Sequence, residues 1–284
     1  MTRYSAMFDR LGRASEGAFG AFLMLGDPDL AASSLLLDAL VEGGADMIEV
    51  GIPFSDPVAD GPVIQAAAVR ALAAGVRTED CLSLIADFRA RHPDVPLGVL
   101  TYANIVMARG IDRFCEVLAK AGADSLLVAD VPSLEAEPWA NAARSAGIDP
   151  VLIAAPNSPD PTLARIAALS RGYTYCVARS GVTGAEEELK LDHARLFGAL
   201  ARHRAPPPVL GFGISTPAHV RAGLGAGAAG VICGSALVDL ATRTGPDEVR
   251  DFVRSMKAAT RVGEAAADTD RQFNRHPDRA APPA

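Results

Sequence analysis

At 284 residues, 49% hydrophobic and 21% charged, the chain is long enough to bury a large core in one domain and too apolar to be disordered throughout. Its formal charge of −7, with 34 acidic against 27 basic residues and no basic stripe, excludes an ordinary nucleic-acid-binding protein. No run approaches the roughly 18 uninterrupted apolar residues of a membrane helix, and the opening MTRYSAMFDRLG has no signal-peptide core, so a cytoplasmic location is expected.

Residues 2–14 carry Tyr4, Phe8 and Leu11 at helical spacing, which predicts a helix closing one end of the molecule. Short apolar runs follow at Phe19–Leu25, Met47–Val50, Leu97–Thr101, Ser125–Ala129, Val151–Ala155, Tyr173–Ala178, Val209–Phe212 and Gly230–Cys233. They are too short for helices and rich in Val, Ile, Leu and Tyr, so they read as strands buried on both faces. Amphipathic stretches such as Leu30–Val41, Asp112–Lys120 and Pro217–Leu224 lie between them. The junctions GGADMIEV, AGADSLLVAD and GAAGVICG repeat one device, a glycine just past a helix and then a strand. Such β–α units over about 250 residues predict an α/β chain folded as a (β/α)₈ TIM barrel, with a doubly wound sheet as the alternative. The barrel domain is expected over residues 1–261, with the N-terminal helix as its cap. Residues 262–284, mostly Ala, Asp, Arg and Pro, are expected to be a disordered tail.

Chemistry in such barrels sits where the strands end. After the last two strands, Gly211, Gly213, Gly234 and Ser235 offer backbone amides at a tight turn and a helix start, which together bind phosphate. Gly184, in the loop after the run at 173–178, is placed to add another amide. Glu49 is a carboxylate within an apolar strand, costly unless it faces a polar cavity, where burial would suit it to acid–base work. Asp60 follows in a loop that can fold back over the pocket. As a residue of Asp60-Gly61-Pro62 it reads equally as a helix cap, and spacing leaves the two roles open. Phe22, Tyr102, Tyr175 and Phe212, with Leu100, Leu127 and Ile232, are placed to line a flat apolar slot. No lysine falls on a predicted strand and no histidines have metal-ligand spacing, so a Schiff base and a metal site are both disfavoured. The four cysteines are widely spaced and read as small buried hydrophobes. What remains is carboxylate acid–base chemistry on a phosphorylated small molecule with an aromatic part.

These segments resemble a known family. IEVGIPFSDPVADGPVIQ at residues 48–65, RGYTYCVARSGVTGA at 171–185, GFGIS and CGSA are similar, in this order, to the tryptophan synthase alpha subunit. The resemblance spans about residues 2–260. It implies a (β/α)₈ lyase that cleaves indole-3-glycerol phosphate to indole and glyceraldehyde 3-phosphate. No cofactor of its own is implied, and pyridoxal phosphate is expected only on a partner beta subunit. It places the acid–base glutamate at Glu49, the second carboxylate at Asp60 and the pocket tyrosine at Tyr175. Phosphate binding falls to Gly184, Gly213, Gly234 and Ser235, and a mobile loop to Arg179–Lys190, including Thr183. Partner contacts fall to Pro53–Asp56 and to the region around Tyr102–Asn104. A stand-alone lyase releasing free indole shares every one of these catalytic residues, and only the presence of a partner separates the two readings.

Overall fold

The computed structural model describes residues 1–177 and 193–261. The expected loop at 179–190, with Thr183 and Gly184, and the expected tail at 262–284 lie outside the described residues. The chain opens with α1 (Arg3–Ala14), whose first turn is capped by the Thr2 side chain accepting from the Ser5 amide. Tyr4, Met7 and Leu11 are its buried positions, so Met7 takes the place expected of Phe8, which is only half-buried. Then come β1 (Ala18–Met24), α2 (Leu30–Glu42), β2 (Met47–Gly51), α3 (Pro62–Ala73), α4 (Thr78–Arg91), β3 (Leu97–Thr101), α5 (Ala103–Met107), α6 (Ile111–Ala121) and β4 (Ser125–Val128). The remainder runs α7 (Ala136–Ser145), β5 (Asp149–Pro150), β6 (Ile153–Ala154), α8 (Asp160–Leu169), β7 (Thr174–Val177), α9 (Ala194–Arg202), β8 (Pro208–Gly211), α10 (Pro217–Gly225), β9 (Gly230–Cys233), α11 (Ser235–Arg243) and α12 (Pro246–Ala258).

All strand pairs are parallel, in the order β5-β4-β3-β2-β1-β9-β8-β7-β6. The two ends of that order are neighbours in the chain, and this closes the barrel. The single strand expected at 151–155 is in fact two short pieces, because the segment turns from one neighbour to the other. Asp149 and Val151 donate their amides to Asp124 and Leu126 on the β4 side, while the carbonyls of Pro150 and Leu152 accept from Arg171 and Tyr175 on the β7 side. The described residues therefore form the (β/α)₈ barrel, with α3 inserted between β2 and its layer helix α4. The helix ends follow the sequence: Gly44 (φ 94°) and Gly122 (φ 91°) take the left-handed conformation that ends α2 and α6 before the next strand.

One end of the barrel is sealed and the other is open. At the sealed end α1 lies across the strands, and Asp46 accepts from the Phe19 amide at 2.9 Å while pairing with Arg10 and Lys257. Asp124 does the same for the Leu97 amide with Arg3 and Arg89. These carboxylates are nearly dry yet fully partnered, as buried charges must be. All four cysteines are buried and unpaired. Among the described residues no helix is long and apolar enough to cross a membrane.

Candidate active site

A cavity of about 310 Å³ opens at the carboxyl ends of the strands. Glu49, Asp60, Tyr175, Phe22, Leu100, Phe212, Ile232, Gly213, Gly234 and Ser235 all line it. Two expected wall residues do not. Leu127 is packed in the barrel core, and Tyr102 stands behind Asp60. Their places in the wall are taken by Ala129 and Ile153. Both lay within predicted strands, but only the real register of β4 and β6 puts them at the rim.

Glu49 is the middle residue of β2, a strand buried throughout, and is 2% exposed. Such a carboxylate needs a donor, and the Tyr173 hydroxyl supplies it at 2.9 Å. Burial pushes the Glu49 carboxyl up from 4.5 to about 7. The Tyr173 hydrogen bond pulls it back, and the charge of Asp60 pushes it up further. Tyr173 was not singled out from the sequence, although it lies two residues before Tyr175 and so on the same side of the strand. Beneath it, the Tyr4 ring lies 5.3 Å from that of Tyr173, and the Tyr4 hydroxyl meets Ser125 Oγ at 2.8 Å. A polar column thus rises from the cap helix to the catalytic end.

Asp60 precedes Gly61 and α3. Of the two roles left open by the sequence, the structure does not give Asp60 the cap. Gly61 is the residue at the helix cap, and the Asp60 carboxyl is free to point at the cavity. Partial burial raises its pKa, and the Tyr102 hydroxyl, hydrogen-bonded to it, lowers it. Tyr102 also accepts the Ala59 amide at 3.3 Å and stacks on Phe54, with centroids 5.3 Å apart, so one ring fixes the whole loop. Tyr175 is buried, and its hydroxyl titrates well above its usual range because of burial and then of the charges on Glu49 and Asp60. Gly211 gives it room: a Cβ there would overlap the phenol ring.

The opposite end of the cavity is made of backbone. Phe212 (φ 64°) and Gly213 (φ 76°) are both left-handed, a turn that costs energy at Phe212 and is held by its edge-on contact with Tyr175 at 5.9 Å. Gly234 caps α11, so the amides of Ser235 and Ala236 face the cavity without intrahelical acceptors. None of the described residues lining the cavity is Lys, Arg or His. Among the described residues, an anion bound here would meet only amides and the helix dipole. Among the described residues there is no cluster of His, Cys, Asp and Glu placed to hold a metal ion.

Tyr173→Phe should shift the acid–base profile. Losing the hydrogen bond that favours the charged form moves the Glu49 titration above about 7. The alkaline limb of the rate profile should move to higher pH with it, and an unmoved limb would show that Glu49 does not set that limb.

Two carboxylates in a largely apolar cavity, with a glycine turn and a helix start at its far end, are the arrangement of an enzyme built on a (β/α)₈ barrel. The family model for the tryptophan synthase alpha chain matches residues 8–267. The chain is 48% identical to the tryptophan synthase alpha chain of Shewanella amazonensis over 266 residues, 92% of this chain and all of that one. It is 49% identical to the alpha chain of Klebsiella pneumoniae over 268 residues, again 92% of this chain and all of the other. Among solved structures it is similar to Mycobacterium tuberculosis tryptophan synthase, with a TM-score of 0.84 at 34% identity, covering 92% of this chain and 99% of that one. The chain belongs to the tryptophan synthase alpha chain family, whose members are lyases of tryptophan biosynthesis.

Proposed function

We propose that this chain cleaves indole-3-glycerol phosphate to indole and glyceraldehyde 3-phosphate by the alternating acid and base action of Glu49. The observation that carries this is a carboxyl titrating near 7, buried at one end of a cavity whose other end is a turn and a helix start. The bond from indole C3 to the glycerol chain breaks only after C3 is protonated. Glu49 in its acid form gives that proton, and Asp60 accepts the indole N–H and stabilises the cationic ring. The Glu49 carboxylate then removes the proton of the adjacent hydroxyl. The carbon–carbon bond breaks, its electron pair returns to the ring, and the aldehyde leaves. One carboxyl serves both steps because its pKa lies near the working pH. Tyr175, Phe22, Leu100, Phe212 and Ile232 form the apolar walls around the indole, and Gly213, Gly234 and Ser235 bind the phosphate. Thr183 and Gly184, in the loop after β7, are proposed to complete the site over the substrate.

The partner proposed is a tryptophan synthase beta subunit carrying pyridoxal phosphate, in the cytoplasm. Its contacts are assigned to the loops at the open end, where Asp56 and Asn104 are exposed and Val58 and Met107 present bare apolar side chains beside them, while Pro53 is buried and stiffens the loop. A contact next to Asp60 favours the productive state by differential affinity. The relatives, matched over their whole length, bear the alpha chain name, which favours this reading over a stand-alone lyase. Indole release from indole-3-glycerol phosphate, measured with and without a beta subunit, tests both. Slow release alone and faster release with the partner is expected. Fast release alone with no response to a beta subunit would select the stand-alone lyase, and no release under either condition would end the proposal.

A further inference from the structure

Asp27 is a buried carboxylate at the end of β1 that the mechanism above does not use, and it faces no solvent that would reward its charge. Its partner is Arg70 of α3. The guanidinium grips it with both prongs, Nε to Oδ1 at 2.7 Å and one terminal nitrogen to Oδ2 at 2.8 Å. The same terminal nitrogen reaches Oγ1 of Thr242 on α11 at 3.0 Å, and that hydroxyl donates onward to the Val238 carbonyl at 2.8 Å. One planar group therefore joins three elements: the end of β1, the helix that follows Asp60, and the helix whose start forms the phosphate cradle.

The position of each contact along its helix matters. Thr242 lies seven residues after Ser235, two turns along the same face. Arg70 lies two turns into α3, and at the start of that helix Gln65 Nε2 donates to the Asp60 carbonyl at 2.8 Å. Val63 and Ile64 of α3 and Ser235, Ala236 and Asp239 of α11 are adjoining walls of the cavity. A fork of fixed geometry is the means by which their spacing, and so the distance from phosphate to indole N–H, is set.

We propose that Arg70 is a positioning residue that, through Asp27 and Thr242, holds the phosphate-binding helix and the Asp60 segment in the register the reaction requires. Phosphate binding then fixes the carboxylate end of the substrate's path as well as the phosphate end, which is how binding energy far from the reacting carbons becomes rate. The inference rests on the proposed cleavage reaction, and its test separates the two.

The test uses the full chain, measured well below its melting temperature. Wild type must first release indole from indole-3-glycerol phosphate, alone or with a beta subunit; if it does so under neither condition, the reaction assignment fails and not the clasp. Given that activity, Arg70→Met should lower kcat by about 10- to 100-fold. Inhibition by glycerol 3-phosphate, which probes the cradle alone, should stay within about twofold of wild type, since the amides remain. Arg70→Lys keeps the charge but not the fork and should recover little of the loss, whereas methylguanidinium added to Arg70→Ala should recover part of it. Thr242→Val leaves the Asp27–Arg70 pair intact and removes the link to α11 along with the hydroxyl's own bond to the Val238 carbonyl within that helix, so it decides the matter if the Arg70 variants fold poorly. It should lower kcat severalfold at an unchanged melting temperature. Wild-type kcat in Thr242→Val, or Arg70 variants whose melting temperature falls while kcat does not, would overturn the proposal and leave a merely structural ion pair.

Discussion

Glu49→Gln is expected to lower cleavage by at least about 10²–10⁴-fold, the usual worth of a positioned acid–base group, and also to make the folded chain more stable above neutral pH. One cause produces both. The folded chain binds the Glu49 proton more tightly than the unfolded chain, since burial moves the carboxyl from 4.5 to about 7. That extra stability is complete below about pH 4.5. It is lost as the pH rises through about 7, where the folded state must hold a desolvated carboxylate. The interval is worth about 3 kcal/mol. Glutamine cannot ionise but still accepts from Tyr173, so the variant should match wild type near pH 4 and exceed it by up to about 3 kcal/mol at pH 8. Urea unfolding at the two pH values measures this. Equal stability at pH 8, or turnover near that of wild type, would remove Glu49 from the role proposed. Asp60→Asn should cost less turnover, because it stabilises charge without moving the essential proton.

The second large effect concerns the phosphate. Indole-3-glycerol, lacking that group, should be cleaved with a kcat/KM at least about 10³-fold below that of its phosphate, since several charge-assisted bonds of about 1.5–3 kcal/mol each are lost. No described residue lining the cavity is a cation, so on the proposed reading the Gly213 turn and the start of α11 would hold the dianion. Binding by oriented amides in a recess is screened less than binding by surface charges, so inhibition by inorganic phosphate should weaken only mildly with added sodium chloride. Equal kcat/KM for the two substrates, measured as indole released, would leave the cradle without its ligand.

Most strands were legible because each run is four to seven largely apolar residues, seven of the eight bounded on at least one side by glycine or proline, and a strand buried on both faces leaves no other pattern; the run at 151–155 was read as one strand and is two. Glu49 was legible for the opposite reason, as the charge that breaks such a run. The place of Gly213, Gly234 and Ser235 at the cavity was legible because glycine turns and a helix start after the last two strands expose backbone there. Asp60 was only half legible. Cap and catalyst share the same Asp-Gly-Pro, and the direction of a side chain depends on what the loop packs against.

What the sequence determined by itself was therefore local: which segments extend, which coil, where charge interrupts apolar surface, and where backbone amides are bare. The tertiary structure alone decided which of these meet. Tyr173 reaches Glu49 across 124 residues of chain. Tyr102 leaves the slot to stand behind Asp60, Leu127 sinks into the core, and Ala129 and Ile153 take the wall. Arg70 joins Asp27 and Thr242 from three separate segments. Closure of the barrel sets each of these contacts. A strand's alternation says that two faces exist, but only the stagger at which segment 149–154 joins β4 to β7 fixes which residues share a layer inside the closed barrel.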